Sequence, residues 1–420
     1  MLDEQTNEEL TQVGPGSPCG ELLRRYWHPF APASELSAEH PTRRVRLLGE
    51  DLVAFRGSDG RYGLVGEHCS HRGVSLYYGY VEAGGIRCAY HGWLYDASGR
   101  CLEQPFETKQ STTKDAFRHP AYPVQELGGL LFAYLGPSPV PLLPRWDVLA
   151  RGDGKRTLEI HPVINCNWLQ CQENSLDPTH NYFLHARRMV ERGIRRGDSL
   201  RAPQAYTFQE YEWGIIKRNI YGGDGMDPWE ELGHPAVFPN MLRHVVEGRA
   251  QGKDVPPIEI LGSLPIDMQY RVPLDDTHTQ IIVVDFFPTE DGRPVDGDPD
   301  EVPVTYLNIK DDAGEYLLDT FASQDEMAWE TQGPITNRTT ERLGVTDTGI
   351  VTWRRVLQDQ IRLVQDGGEP MGVVRDPVAN EVIELGPSRM WDGNKFVPKP
   401  WAGWRNGKKM WESPPVPLRH

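Results

Sequence analysis

The sequence predicts an α+β protein in two bodies. A mainly-β body spans residues 45–144, a larger body of alternating helices and strands spans 145–420, and an N-terminal segment, 1–44, packs on the second. Three observations predict this. Between Val45 and Gly136 the chain is a run of short strands cut by turns. The stretch from Gly136 to Pro144 then carries four prolines, and beyond Arg145 longer helical and strand patterns take over.

Strands are expected at 45–48, 51–56, 62–65, 85–88, 93–96 and 129–135, with Ser58-Asp59-Gly60 and Ala97-Ser98-Gly99 as turns. The prolines favour a stiff, extended connection that neither helix nor central strand absorbs, which places the domain boundary there. In the larger body helices are expected near 165–186, 311–331 and 349–366, with strands near 204–221, 258–272 and 278–287. On the last helix Ile350, Trp353, Leu357, Ile361 and Val364 share one face, the pattern of a helix packed on a sheet. The acidic run 291–301 lacks the ligand spacing of a calcium loop and reads as a solvated loop. The tail 401–420, with three tryptophans, is expected to pack over its own domain or a neighbouring subunit.

Composition narrows the partners. The 420 residues carry 44 Lys and Arg against 60 Asp and Glu, a formal charge of -16, so nucleic acid and anionic membrane are poor partners. The longest apolar stretches, such as Gly129 to Leu135, are strand length, well short of the ~20 residues a membrane span needs. The acidic start lacks a signal-peptide pattern, and a mean hydropathy of -0.54 completes the expectation of a soluble cytoplasmic chain. Six cysteines are too sparse for a disulfide framework, which leaves free thiols or metal ligands.

Two sites stand out. Cys69-Ser70-His71 is followed sixteen residues later by Cys88-Ala89-Tyr90-His91, each pair opening into a glycine-bearing turn. Mixed thiolate and imidazole donors suit zinc or a 2Fe-2S cluster with two histidines on one iron. One Cys and one His in each half differs from the usual zinc-finger order and matches the Rieske pattern, with Tyr90 and Trp93 flanking the second loop. The second site starts from His180 and His185. Five residues turn an ideal helix by about 140° beyond a full turn, so these two share a metal only if the helix ends or distorts between them. Asp177-Pro178 just before them reads as a helix cap and first position. Asp325, among the helically spaced apolar residues Leu318, Phe321, Ala328 and Trp329, is the preferred carboxylate, because an ionised aspartate on a buried face needs a partner or a metal. The competing Glu326 is expected on a more polar face. Two histidines and a carboxylate make the facial triad of non-haem Fe(II) oxygenases.

Together the Rieske motif and Asp177-x-x-His180-x-x-x-x-His185, preceded by Glu173-Asn174, resemble the oxygenase component of Rieske non-haem iron oxygenases across nearly the whole chain. The runs 13–27 and 332–344 are similar to the branch that holds phthalate dioxygenases and aromatic O-demethylases, and the run 233–240 leans to its O-demethylases. Ser70 departs from the family's usual proline.

This resemblance implies a mainly-β Rieske domain and a helix-grip catalytic domain with a central antiparallel sheet. It implies a 2Fe-2S cluster on Cys69, His71, Cys88 and His91, mononuclear Fe(II) on His180, His185 and Asp325, and dioxygen as cosubstrate. Electrons come from NADH through a separate flavin/iron-sulfur reductase or ferredoxin. Asp177 hydrogen-bonds His180 and reaches His91 of a neighbouring subunit, which implies a homo-oligomer, a trimer. Asn174 lies near the iron, or else caps its helix. The expected reaction is O-demethylation of a methoxyaromatic acid, with cis-dihydroxylation of an aromatic carboxylate as the alternative. Independently of the resemblance, Arg243 is a candidate cation for the substrate carboxylate, because a guanidinium binds a carboxylate bidentately, and a surface salt bridge is the more common fate of an arginine. An electron carrier without substrate chemistry, or zinc at both sites, are the readings from other classes. His28, His119, His161 and His234, each followed by proline, are expected at loops or strand ends.

Overall fold

The computed structural model describes residues 2–108, 110–193, 204–223, 226–245, 266–289, 301–385, 391–392, 395–396 and 416–417. In the first body Thr42–Leu47, Glu50–Arg56, Tyr62–Gly66 and Ala121–Tyr122 form one four-stranded antiparallel sheet. Tyr80–Glu82, Gly85–Arg87, Leu94–Tyr95 and Cys101–Glu103 form another. The period of two gives the first sheet two different faces. Val53, Phe55 and Val65 turn toward a small core with Leu76, Ile86, Trp93 and Tyr95, while Leu52, Ala54 and Leu64 join the main core of the molecule.

The N-terminal segment is shared between the bodies. Its helices Glu4–Thr11 and Pro18–Leu23 pack against the helix Thr348–Gln365 of the larger body. Its strand Trp27–Pro32 instead pairs antiparallel with Leu130–Tyr134, because every residue of that strand is buried and it needs a buried partner. The turn Leu48-Gly49, with both residues at positive φ, docks through its N–H groups on the carbonyls of Pro273 and Leu274 at 3.1 and 2.8 Å. Beside it Arg46 pairs with Asp275 at 2.8 Å. These contacts tie the first body to a strand of the second.

Among the described residues, that second body is built on a sheet of nine strands. Their order is Val304–Tyr306, Gly154–Ile164, His278–Pro288, Ile266–Asp275, Met241–Val245, Met226–Val237, Gly214–Gly223, Ala205–Tyr211 and Val416–Pro417. The sheet is antiparallel as expected, except that the edge strand Val304–Tyr306 runs parallel to its neighbour. Of the tryptophan-bearing tail only Val416–Pro417 is described, as the opposite edge strand. The acidic run 291–300 and the expected strand start at 258–265 lie outside the described residues.

The two faces of this sheet do different things. Met268, Tyr270, Val272, Ile282, Val284 and Phe286 fill the main core. On the other face Ile281 and Val283 meet Cys166, Cys171 and Trp329 under the helices Trp168–Asn174 and Phe321–Glu330. Thr348–Gln365 buries Trp353, Leu357, Ile361 and Val364 as its periodicity requires, and Gly349 at its start leaves room for Phe208, whose ring an added Cβ would meet at 2.4 Å. Among the described residues no helix is long and apolar enough to cross a membrane.

Candidate metal centres

Two loops in the first body have the same hydrogen-bond register. In one, the Cys69 N–H donates to the Val74 carbonyl and the Gly73 N–H to the Cys69 carbonyl. In the other, the Cys88 N–H donates to Trp93 and the Gly92 N–H to Cys88, all between 2.8 and 3.0 Å. Gly73 and Gly92 both sit at positive φ, which closes each loop at the same offset from its cysteine. The thiols are buried, Cys69 at 3% and Cys88 at 2% exposure, whereas His71 is exposed and His91 half-buried. The imidazoles meet edge to face, 4.5 Å apart, and His71 stacks on Trp93. Buried sulfur and outward nitrogen fit a two-iron group whose thiolate end is inside and whose imidazole end faces out.

Around these loops the sequence reading missed two supports. The Tyr95 hydroxyl lies 3.2 Å from Cys69 Sγ. Ser70, at the position where proline was expected, hydrogen-bonds His119 Nδ1 at 2.8 Å, and His119 Nε2 donates to the Gly66 carbonyl at 2.8 Å. The loop constraint is supplied by this buried histidine instead. His119 is thus no loop residue by function, although a lone His-Pro pair gave no signal of it.

In the second body the helix expected over 165–186 is two helices. Trp168–Asn174 is capped by Asn167, and after a turn His180 leads into a π-helix, Asn181–Arg187. The i→i+5 pattern of a π turn is the distortion that the five-residue step demanded. It sets the two imidazoles edge to face, 5.1 Å apart. One ligand atom from each of His180, His185 and Asp325 can be chosen so that all lie within 4.8 Å of one another. Asp325 Oδ1 is 3.1 Å from His185 Nε2 and 3.8 Å from His180 Nε2, and the Asn174 amide donates to the same oxygen at 3.4 Å. Two imidazoles and a carboxylate converging on one point fit an Fe(II) with open positions.

Asp177 has two tasks. Its Oδ1 accepts from the Thr179 N–H and hydroxyl, both at 2.7 Å, starting the turn, and its Oδ2 lies 3.5 Å from His180 Nδ1. Burial acts to raise its carboxyl, but His180 and Thr179 outweigh burial and hold it well below the usual carboxylate range. His185 Nδ1 is met by Gln324 Oε1 at 2.8 Å, a contact with no sequence signal beyond Gln324 preceding Asp325.

Glu326 does not have the polar surroundings expected of it, and Asp325 is the less buried of the two. Asp325 is half-buried and Glu326 fully buried, yet Glu326 bonds His161 rather than facing a polar surface. Burial pushes the Glu326 carboxyl up. His161, which burial alone would lower, is pushed up to about 9 by Glu159 and Glu326. His161 therefore lies inside the strand Gly154–Ile164 as an anchor for the Asp325 helix, not at a strand end. Behind the site Arg338 and Arg354 both bind Glu173, and Arg354 also binds Glu341. Burial would raise the Glu173 carboxyl, but the two arginines hold it below its ordinary value.

The expected role of Arg243 is corrected. In register it opposes Met268, so it lies on the main-core face of the sheet, away from the face under the metal-site helices. It is 1% exposed, and its guanidinium pairs with Asp147 at 2.8 Å. A cation already paired in the core is not offered to a substrate. His28 is likewise a buried strand residue, its Nε2 donating to the Leu23 carbonyl at 2.8 Å, and His234 lies within the strand Met226–Val237.

Comparison with known proteins gives the family. Residues 26–123 match the Rieske [2Fe-2S] domain and residues 310–386 the LigXa C-terminal domain-like family. The chain is 40% identical to the 5,5'-dehydrodivanillate O-demethylase oxygenase subunit of Sphingobium sp., over 92% of this chain and 86% of that one. It is 35% identical to the phenoxybenzoate dioxygenase subunit alpha of Ectopseudomonas oleovorans, over 87% of each. Among solved structures NdmA of Pseudomonas putida CBB5 superimposes with a TM-score of 0.60 at 20% identity, covering 83% of this chain and 94% of that one, a likeness of fold. The family brings with it a Rieske 2Fe-2S cluster and a mononuclear iron that uses dioxygen. By its Rieske domain and by relatives that match nearly its whole length, the chain belongs to the Rieske non-haem iron oxygenases, as an oxygenase subunit.

Proposed function

We propose that this subunit is the terminal oxygenase of a multicomponent system that O-demethylates a methoxylated aromatic acid. Cys69, His71, Cys88 and His91 would hold the cluster, and His180, His185 and Asp325 the Fe(II). When bound, the cluster supplies single electrons and the iron activates dioxygen for insertion into a substrate C–H bond. The observation that carries the reading is the convergence of His180 Nε2, His185 Nε2 and Asp325 Oδ1 on one point.

The chain's own residues prepare that point. The π turn brings the two rings together, Asp177 faces the outer nitrogen of His180, and the Asn174 amide holds Asp325. Hydroxylation at a methoxy carbon gives a hemiacetal that collapses to a phenol and formaldehyde. The O-demethylase relative supports this outcome, and the dioxygenase relative supports cis-dihydroxylation as a second reading. Electrons would reach the cluster from NADH through a ferredoxin or a flavin/iron-sulfur reductase. The exposed His71 edge suits delivery from outside, and Asp177 would complete the path to His91 of a neighbouring copy in a trimer.

The test is iron and acid-labile sulfide per chain on anaerobically purified protein. We expect about three irons and two sulfides, falling to about two irons in His180→Ala. Turnover of methoxylated benzoates with a surrogate reductase should then release formaldehyde. Cis-diol without formaldehyde would transfer the conclusion to dihydroxylation, and two irons in both proteins would remove the mononuclear site.

A further inference from the structure

We propose that Gln324 is a positioning residue for the mononuclear iron: its amide fixes the tautomer of His185 and so aims the Nε2 lone pair at the position Asp325 faces. This rests on the reading of His185 and Asp325 as ligands. Gln324 is fully buried on the helix Phe321–Glu330, one residue before Asp325. Its Nε2 donates to the Leu318 carbonyl at 2.9 Å, and its Oε1 lies 2.8 Å from His185 Nδ1.

The two contacts together leave one arrangement. A backbone carbonyl only accepts, so the nitrogen end of the amide must face Leu318 and the oxygen end must face His185. That oxygen also only accepts, so Nδ1 carries the hydrogen and donates it. In the neutral ring Nε2 is then bare. It faces Asp325 Oδ1 at 3.1 Å, so the lone pair and the carboxylate oxygen point at the same position, where a cation can take both. The opposite tautomer would set a lone pair against Gln324 and an N–H where the metal belongs.

The two histidines are therefore oriented by different chemistry. His180 has the Asp177 carboxylate at 3.5 Å, and His185 has a closer, neutral amide. Because Gln324 and Asp325 are consecutive on one helix, the group that orients one ligand moves with the group that supplies another. Glu326, the next residue, ties that helix to His161 and fixes its rotation.

The test uses the full chain with its cluster intact and the mononuclear iron removed by a chelator. Fe(II) is titrated back, and nitric oxide added to the oxidised protein gives a spin-3/2 signal from the mononuclear site alone, since the oxidised cluster is silent. Gln324→Met, of similar length but without the accepting oxygen, should weaken Fe(II) binding about 10–100-fold and change the rhombicity of that signal. Iron and sulfide of the cluster should not change. Gln324→Glu keeps an acceptor toward Nδ1 and should bind Fe(II) within a few-fold of the parent. A merely packing residue would do the reverse, tolerating methionine and losing the site to a buried carboxylate. Fe(II) affinity and signal unchanged in Gln324→Met overturn the proposal. Should that variant not fold, loss of Fe(II) from folded Gln324→Glu overturns it equally. His185→Ala separates the two levels. If it binds Fe(II) as the parent does, the ligand reading itself fails; if it loses Fe(II) while Gln324→Met keeps it, the tautomer argument alone fails.

Discussion

The candidate cluster site and the candidate mononuclear site are built in opposite ways. All four cluster candidates lie between Cys69 and His91 on two loops of one register, so each loop holds its ligands with its own backbone. At the mononuclear site the histidines come from a π turn and the carboxylate from a helix about 140 residues later, and their alignment depends on packing between them. Gln324, His161 and the Glu173–Arg338–Arg354 group are parts of that packing. A site made by local loops tolerates distant change, whereas a site assembled across the fold inherits the stability of everything that aligns it.

The largest effects should separate the two sites cleanly. His91→Ala should abolish the cluster spectrum and NADH-driven turnover while Fe(II) still binds, and Asp325→Ala should abolish turnover and Fe(II) binding while sulfide is retained. Loss of both centres in either variant would break the comparison. Arg338→Leu comes next, because it leaves Glu173 with one arginine in a buried setting. We expect a loss of about 3 kcal/mol or more, read from denaturant unfolding, with the cluster spectrum unchanged in protein that remains folded.

A smaller and pH-dependent effect belongs to His28, on the strand that joins the N-terminal segment to the first body. Burial lowers its pKa to about 4. Above the unfolded value of about 6.5 both states are neutral and the residue has no pH effect. As pH falls from there toward 4 the unfolded chain takes up a proton that the folded chain refuses, so stability drops, by about 3 kcal/mol in all. Denaturant midpoints for the wild type and His28→Gln at several pH values between 7 and 5 check this. The variant should show a flatter profile, and parallel profiles would assign the acid sensitivity elsewhere.

How much of this was legible follows from the same contrast. The cluster loops could be read from Cys69, His71, Cys88, His91 and their glycines because ligand, turn and register are consecutive in the chain. The His180 and His185 pair was legible only as a conditional, since the five-residue step required a distorted helix without saying which distortion. Asp325 was preferred over Glu326 through an argument about burial that the fold reverses: Glu326 is the more buried, and His161 accounts for its charge. Arg243 was misread because its face of the sheet is set by strand register with Met268, which no local pattern reveals. Gln324, beyond preceding Asp325, and Arg338 had no signal, as their meaning is fixed by partners 139 and 165 positions away.

The π turn between His180 and His185 also sets a rule about length. An α-helix brings residues four apart to one side, and a π turn does so for residues five apart. Removing Phe183, which is largely exposed, would shorten the step to four and let the segment relax into an ordinary helix with both imidazoles still on one side. An added residue has no regular helical form that would answer it. The segment can lose one position and keep its two imidazoles together, but it cannot gain one.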